Sequence, residues 1–74
     1  MTAEQRKKSI FVRHFLFPLV LAIDGDVVDV SYLNPGDNNG TEIVEVKWRN
    51  GFKREINVTA DSKGAIARDV LKHI

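Results

Sequence analysis

The N-terminal third of the chain combines a polar opening with an apolar run at helical spacing. Thr2 and Gln5 have the spacing of a capping box, in which each side chain accepts a hydrogen bond from the other's backbone amide. Apolar residues then recur three to four residues apart as far as Pro18, which should stop a helix by the preceding residue. The pattern predicts a helix over about residues 3–15, although the apolar runs within residues 10–17 fit the opening of a buried strand equally well.

The next apolar segments predict a β-hairpin. Asp24-Gly25 separates residues 19–23 from residues 26–33, and Asp-Gly is a preferred two-residue hairpin turn because both central positions need a positive φ. In this register one face of the strand pair is apolar, as a half-buried hairpin requires. That face carries Leu19, Leu21, Val28, Val30 and Tyr32. The other face is only half polar, and its apolar members are Val20, Ala22 and Val27.

A second hairpin is predicted over residues 42–58, around Asn50-Gly51. A two-residue loop would set Trp48 opposite Lys53, so we expect the three-residue loop Arg49-Asn50-Gly51 with Gly51 left-handed. Trp48 then faces Phe52, and the inner face is apolar apart from Arg54. The inner apolar residues are Val44, Val46, Trp48, Phe52, Ile56 and Val58. The outer residues are Glu45, Lys47, Arg49, Lys53 and Glu55.

The last segment predicts a helix over about residues 62–74, with Thr59 or Asp61 as its N-cap. Its apolar side is formed by Ile66, Val70 and Ile74. The element order is therefore helix, four strands, helix. Helices at both ends of an antiparallel sheet predict one small α+β domain over residues 1–74. We expect a two-layer sandwich with a four-stranded antiparallel meander (α-β-β-β-β-α).

Composition excludes several kinds of site. The 74 residues contain no cysteine, which rules out disulfides, thiol nucleophiles and cysteine-ligated metals. Two histidines, His14 and His73, are too few for a dedicated multi-histidine metal site. The apolar share of 43% is typical of a folded protein rather than a disordered one, and the net charge of +1 favours no strongly charged partner.

Catalytic patterns are also missing from the sequence. A nucleophile needs an adjacent base and an orienting group, and no motif places a histidine beside Ser9, Ser31 or Ser62. No glycine-rich phosphate-binding motif occurs. We therefore predict that the protein is not an enzyme and uses no cofactor.

An acidic segment extends from Asp24 to Val46 and contains no lysine or arginine. Its acids are Asp24, Asp26, Asp29, Asp37, Glu42 and Glu45. The loop at residues 37–42 offers oxygen ligands, but it lacks the alternating register and the distal glutamate of a calcium loop. Because Asp, Asn and Gly are the residues that turns select, we interpret this loop as structural and predict no metal site.

A basic segment follows at the second hairpin, where Lys47, Arg49, Lys53 and Arg54 occur within eight residues that contain no acid. Two-stranded ribbons enter nucleic-acid grooves, and rows of Lys and Arg contact phosphates. The competing interpretation is a solvated strand face whose charges discourage edge-to-edge aggregation. The sequence favours this second interpretation, because a dedicated binder usually has a strongly basic domain.

The C-terminal segment resembles the double-stranded-RNA-binding domain at three positions. Ser62, Lys63 and Ala65 correspond to residues of the Ser-Lys-Lys-x-Ala-Lys motif that opens the last helix of that family. Gly64 stands at the second lysine position, the later lysine is absent, and that family has three strands where four are predicted here. We assign no family on this basis.

The run Phe15–Ile23 raises the question of targeting. Its nine apolar residues are far fewer than the ~20 that cross a bilayer. It has the length of a signal-peptide core, but Asp24, Gly25 and Asp26 follow in place of a small-x-small cleavage site. We expect a cytoplasmic protein without a membrane segment.

These observations predict a non-catalytic module that acts through surface recognition, of a protein partner or of a second copy. Two short helices cannot cover both faces of a four-stranded sheet, so part of the first hairpin should remain exposed. We expect a homodimer whose contact includes Val20, Ala22 and Val27. The alternative is a small nucleic-acid-binding protein that uses the basic hairpin at residues 47–54.

Overall fold

The computed structural model describes residues 2–36 and 40–74. Along the chain its elements are α1 (Ala3–Phe11), a π-helical turn (Val12–Leu16), α2 (Phe17–Ile23), β1 (Val27–Leu33), β2 (Ile43–Trp48), β3 (Lys53–Asn57) and α3 (Lys63–Leu71). The first three are continuous and are called the N-terminal helix below. The strands form one antiparallel sheet in the order β1-β2-β3. The predicted four-stranded meander is therefore wrong, and the sheet has three strands between two helices.

The missing strand is part of the N-terminal helix, because that helix continues through Pro18. A proline has no amide hydrogen, and its ring excludes the regular hydrogen bond to the preceding helical turn. Here the preceding turn is π-helical, and the Phe17 amide bonds the carbonyl of Val12, five residues back. Proline then occupies the first turn of α2, where an amide donor is not required. The predicted start of the helix is confirmed, since Thr2 and Gln5 form both bonds of the capping box.

Asp24-Gly25 is the connection between this helix and β1 rather than a hairpin turn. The Asp24 amide closes the helix on the carbonyl of Val20 at 2.8 Å. One carboxylate oxygen of Asp24 accepts from the Asp26 amide at 3.0 Å. The other accepts from the indole Nε1 of Trp48 at 2.9 Å, which ties the end of the helix to the end of β2.

The second hairpin has the predicted register. Val44 pairs with Ile56, the amide of Trp48 donates to the carbonyl of Phe52 at 2.8 Å, and Gly51 has a φ of +90°. The rings of Trp48 and Phe52 lie 5.3 Å apart. Both aromatic residues, however, lie at the border of the core, because Trp48 is half-buried and 54% of Phe52 is exposed.

The C-terminal helix is confirmed, but its predicted N-cap is wrong. The Ser62 hydroxyl, rather than Thr59 or Asp61, accepts from the Ala65 amide at 3.2 Å. Ile66 and Val70 are fully buried, as the helical spacing predicts. They join residues of the N-terminal helix and of the inner sheet face in one core. Its members are Val12, Leu16, Val20, Val27, Val30, Tyr32, Val44, Val46, Ile56, Val58, Ile66 and Val70.

A buried carboxylate connects the elements around this core. Glu42, which is 6% exposed, accepts from Lys8 Nζ at 2.9 Å and from the Tyr32 hydroxyl at 2.5 Å. Its other oxygen accepts from the Ala60 amide at 3.0 Å, and its own amide donates to the Thr59 hydroxyl at 3.0 Å. The N-terminal helix, β1 and the segment before α3 are thus all bonded to the residue that precedes β2. We call this group the Glu42 cluster.

The protonation of Glu42 couples this cluster to pH. Burial by itself raises the pKa of Glu42, but the hydrogen bonds from Tyr32, Lys8 and the Ala60 amide together outweigh it and hold that pKa below the usual value. A carboxyl whose pKa is lowered by folding stabilises the protein above its unfolded pKa. That contribution is lost as the pH falls through the folded pKa.

We predict that Lys8→Met lowers the free energy of unfolding by about 2–3 kcal/mol at pH 7, because it leaves a buried carboxylate without its cation. Lys7→Met is the matched control, since the Lys7 side chain is 63% exposed on the same helix and should cost less than about 0.5 kcal/mol. Urea denaturation of both variants measures the difference. The gap between Lys8→Met and wild type should narrow in acid; equal loss in the two variants would contradict the role of the cluster.

We also predict that Gly51→Ala destabilises the protein by about 1 kcal/mol, because an L-residue is strained at its φ of +90°. Gly25→Ala is the control, since Gly25 has no positive φ and no atom lies within 4 Å of the added methyl group. Thermal and urea unfolding measure both. An unchanged stability in Gly51→Ala would contradict the left-handed turn.

Candidate functional site

The exposed apolar side chains of the described residues are concentrated on the N-terminal helix. Eight large apolar side chains are well exposed, and five of them belong to this helix. The five are Ile10, Phe15, Leu19, Leu21 and Ile23. The helix therefore buries one face against the core and presents other apolar residues to solvent. Exposed apolar residues grouped in this way are typical of an interaction surface.

Four apolar residues form a stripe along this helix, at intervals of four residues. We call Phe11, Phe15, Leu19 and Ile23 the apolar stripe. The rings of Phe11 and Phe15 stack with their centroids 6.0 Å apart. Phe11 is half-buried against the core, whereas Phe15, Leu19 and Ile23 are 66%, 46% and 58% exposed.

The π-helical turn explains why this stripe follows the helix axis. In an α-helix four residues overshoot a full turn by about 40°, so a four-residue series would wind around the helix. A π turn holds more residues, because its hydrogen bonds reach five residues back, and four residues then fall short of a full turn. The two deviations offset each other over residues 11–23. The same compensation aligns Val12, Leu16 and Val20, which are all buried.

Opposite charges lie at the two ends of the apolar stripe. Arg6, Lys7 and Arg13 are exposed on the N-terminal half of the helix. Asp24 and Asp26 follow its C-terminal end. The indole N–H of Trp48, and then the amide of Asp26, hold the pKa of Asp24 below its usual value, so that this end is anionic at neutral pH. The helix surface therefore carries cations at one end and anions at the other.

The residues predicted for self-association are not assembled at this surface. Val20 and Val27 are 0% and 1% exposed and belong to the core, while Ala22 is exposed. Because residues 19–23 are helical, the residues that reach solvent differ from those of the predicted strand. Sequence reasoning missed Phe15 and Leu19 as surface residues. The four-residue spacing from Phe11 to Ile23 was the signal that could have found them.

The basic residues of the second hairpin are divided between the two sheet faces. Lys47 and Lys53 pair across the outer face, and Lys47 also lies 3.5 Å from Glu45. Arg54 pairs with Val46 on the inner face, and its Nη1 lies 3.3 Å from Nδ1 of His73. Arg49 lies in the turn, beside a shallow cleft of about 270 Å³ that it shares with Asp26, Trp48 and Asn50. The four side chains thus do not form one row.

The acidic segment is not assembled as a metal site in the described residues. Glu42 is occupied by the Glu42 cluster, and the predicted loop residues 37–39 lie outside the described part of the chain. Within residues 2–36 and 40–74 no group of three acidic or histidine side chains is placed to hold a metal ion.

One pair of carboxyls does meet, between Asp61 and Asp69. A hydrogen bond with Asp69, together with burial, raises the pKa of Asp61, and the same bond lowers the pKa of Asp69. One oxygen of Asp61, Oδ2, is buried without a partner among the described residues. A hydrogen bond between two carboxyls requires one of them to carry a proton, so this pair is expected to share one in acid and to repel at neutral pH.

The candidate nucleophiles have structural partners. The Ser31 hydroxyl donates to Asp29 at 2.7 Å, and Ser62 caps α3. In the described part of the chain no hydrogen bond joins a serine to His14 or His73. The apolar stripe and the outer sheet face are therefore the two surfaces considered below.

Among the described residues, no helix is both long and apolar enough to cross a membrane. Comparison of the chain with protein-family models, with curated proteins and with solved structures found no match. The function is consequently argued from the geometry and chemistry of the surfaces above.

Proposed function

We propose that the protein is a non-catalytic assembly module that self-associates through the apolar stripe of its N-terminal helix. The observation that carries this proposal is the alignment of Phe15, Leu19 and Ile23, each about half exposed or more, on one side of a helix. Burial of such side chains is favourable by about 1.5–3 kcal/mol each when complete. An aligned series of this kind is the geometry that helix-to-helix packing uses.

A second copy of the chain is the occupant that the charges favour. The cations of Lys7 and Arg13 and the anions of Asp24 and Asp26 lie at opposite ends of the same surface. Such a surface is complementary to itself after a two-fold rotation, which is the commonest symmetry of homo-oligomers. A partner of a single charge sign would be attracted by one end and repelled by the other.

We predict that the wild type is a dimer in sedimentation equilibrium at ~100 μM, which is well above the micromolar range of a modest interface. Leu19→Lys should weaken the dimer by about tenfold or more, because it places a charge in an apolar contact. Leu21→Lys is the matched control: Leu21 is 42% exposed against 46% for Leu19, but two residues of helix place it on the opposite side.

Circular dichroism checks that both variants remain folded, as their exposure leads us to expect. A wild type that is monomeric at ~100 μM would overturn the proposal. Equal weakening by Leu19→Lys and Leu21→Lys would place the contact outside the apolar stripe.

A second candidate function is nucleic-acid binding by the outer sheet face. The supporting observation is the direct pairing of Lys47 with Lys53, since like charges opposite each other destabilise a strand pair unless an anion lies between them. Arg54 faces the other side and is left out of this surface. The surface is smaller than that of the hairpin proposed from sequence.

If this second candidate holds, Lys47→Glu with Lys53→Glu should abolish binding of DNA or RNA measured by fluorescence anisotropy. Wild-type affinity should fall steeply with added salt, because phosphate contacts release counterions. Arg68→Glu, on α3 and away from the outer sheet face, is the control for net charge. Absence of binding to single- and double-stranded DNA and RNA at ~50 mM salt would exclude this function.

A further inference from the structure

We infer that the two apolar stripes pack antiparallel, so that Lys7 of each copy meets the partner's Asp26. This inference rests on the proposed self-association and adds the orientation of the partner and the ion pairs that select it. It is argued from the spacing of the stripe and from the charges that continue it at both ends.

The spacing defines the centre of an antiparallel contact. A two-fold axis midway between Phe15 and Leu19 sets Phe15 against the partner's Leu19. The same axis sets Phe11 against the partner's Ile23. Every member of the stripe is then opposite another apolar residue, and each larger phenylalanine meets a smaller aliphatic residue. Interdigitation of large and small side chains is what close helix packing requires.

The charges at the ends agree with this arrangement. Lys7 extends the stripe by one more interval of four residues before Phe11, and its side chain is 63% exposed. About one interval beyond Ile23 the chain leaves the helix at the exposed residue Asp26. The same two-fold axis brings Lys7 opposite the partner's Asp26, twice in each dimer.

A parallel arrangement of the same stripes is disfavoured by the same charges. It would place Lys7 against the partner's Lys7, and Asp26 against the partner's Asp26. It would also align the two helix dipoles, whereas the antiparallel arrangement opposes them. Within its own chain Lys7 lies 3.7 Å from Glu4, and both side chains are largely exposed. Such a pair contributes little, so it does not prevent an intermolecular contact.

Charge exchange tests the orientation. Lys7→Glu and Asp26→Lys should each weaken homodimerisation by about tenfold, because each variant faces like charges at two places in the dimer. An equimolar mixture of the two variants should regain wild-type affinity. In the mixed dimer the glutamate introduced in one copy meets the lysine introduced in the other, and the second contact keeps Lys7 opposite Asp26.

Native mass spectrometry identifies the mixed dimer by its mass, and sedimentation measures its affinity. Lys53→Glu, on the outer sheet face, is the control for net charge and should leave dimerisation unchanged. Circular dichroism of each variant checks that the fold is retained.

The outcomes separate this inference from the proposal on which it rests. Weakened homodimers together with a preferred mixed dimer support the antiparallel contact. If the wild type dimerises but both variants associate as tightly as wild type without a preference for the mixed dimer, the orientation is wrong and the proposed function stands. If the wild type is monomeric at ~100 μM, the proposed function fails and the orientation with it.

Discussion

The carboxylate of Glu42 is the point at which the separate elements of this small domain are bonded together. A chain of this length buries a modest core, so a satisfied polar group inside it has a large share in the specificity of the fold. Lys8 supplies the countercharge, Tyr32 a hydroxyl and Ala60 an amide, each from a different part of the chain. Ala60 has a positive φ of 61°, an unfavourable conformation for alanine, and its amide is the group that meets the carboxylate. The backbone strain is therefore located where the buried charge receives a hydrogen bond.

The N-terminal helix is held at both ends by such contacts. Lys8 anchors its first half to Glu42, and Asp24 joins its C-terminal end to the indole of Trp48. Between these anchors the buried series Val12, Leu16 and Val20 packs on the sheet. Because the helix is positioned by its ends and by this one face, the neighbouring apolar stripe is not needed for folding within the chain. A set of apolar residues that the fold does not use is more informative about function than the core is.

The parts of the fold that depend on local chemistry could be predicted from the sequence. The capping box of Thr2, the left-handed Gly51 and the pairing of Val44 with Ile56 each follow from residue type and spacing. The identity of residues 19–23 could not, because an apolar run after a proline and before Asp-Gly fits a strand as well as a helix. The π-helical turn before Pro18 decides between them. Its hydrogen bonds depend on packing of residues 12–16 on the sheet, and no residue pattern announces them.

The same error shifted the predicted contact residues, for a reason that links the fold to the proposed function. A strand at residues 19–23 would present Val20 and Ala22 on one face, whereas a helix turns Val20 inward and Leu19 outward. Only a helix with a π turn keeps Phe11, Phe15, Leu19 and Ile23 in line while burying the residue after each of the first three. The turn that lets the helix pass through Pro18 is thus also what makes its exposed side a continuous apolar surface. Loss of the π turn would leave a helix whose outer residues wind around the axis and offer no straight contact to a second copy.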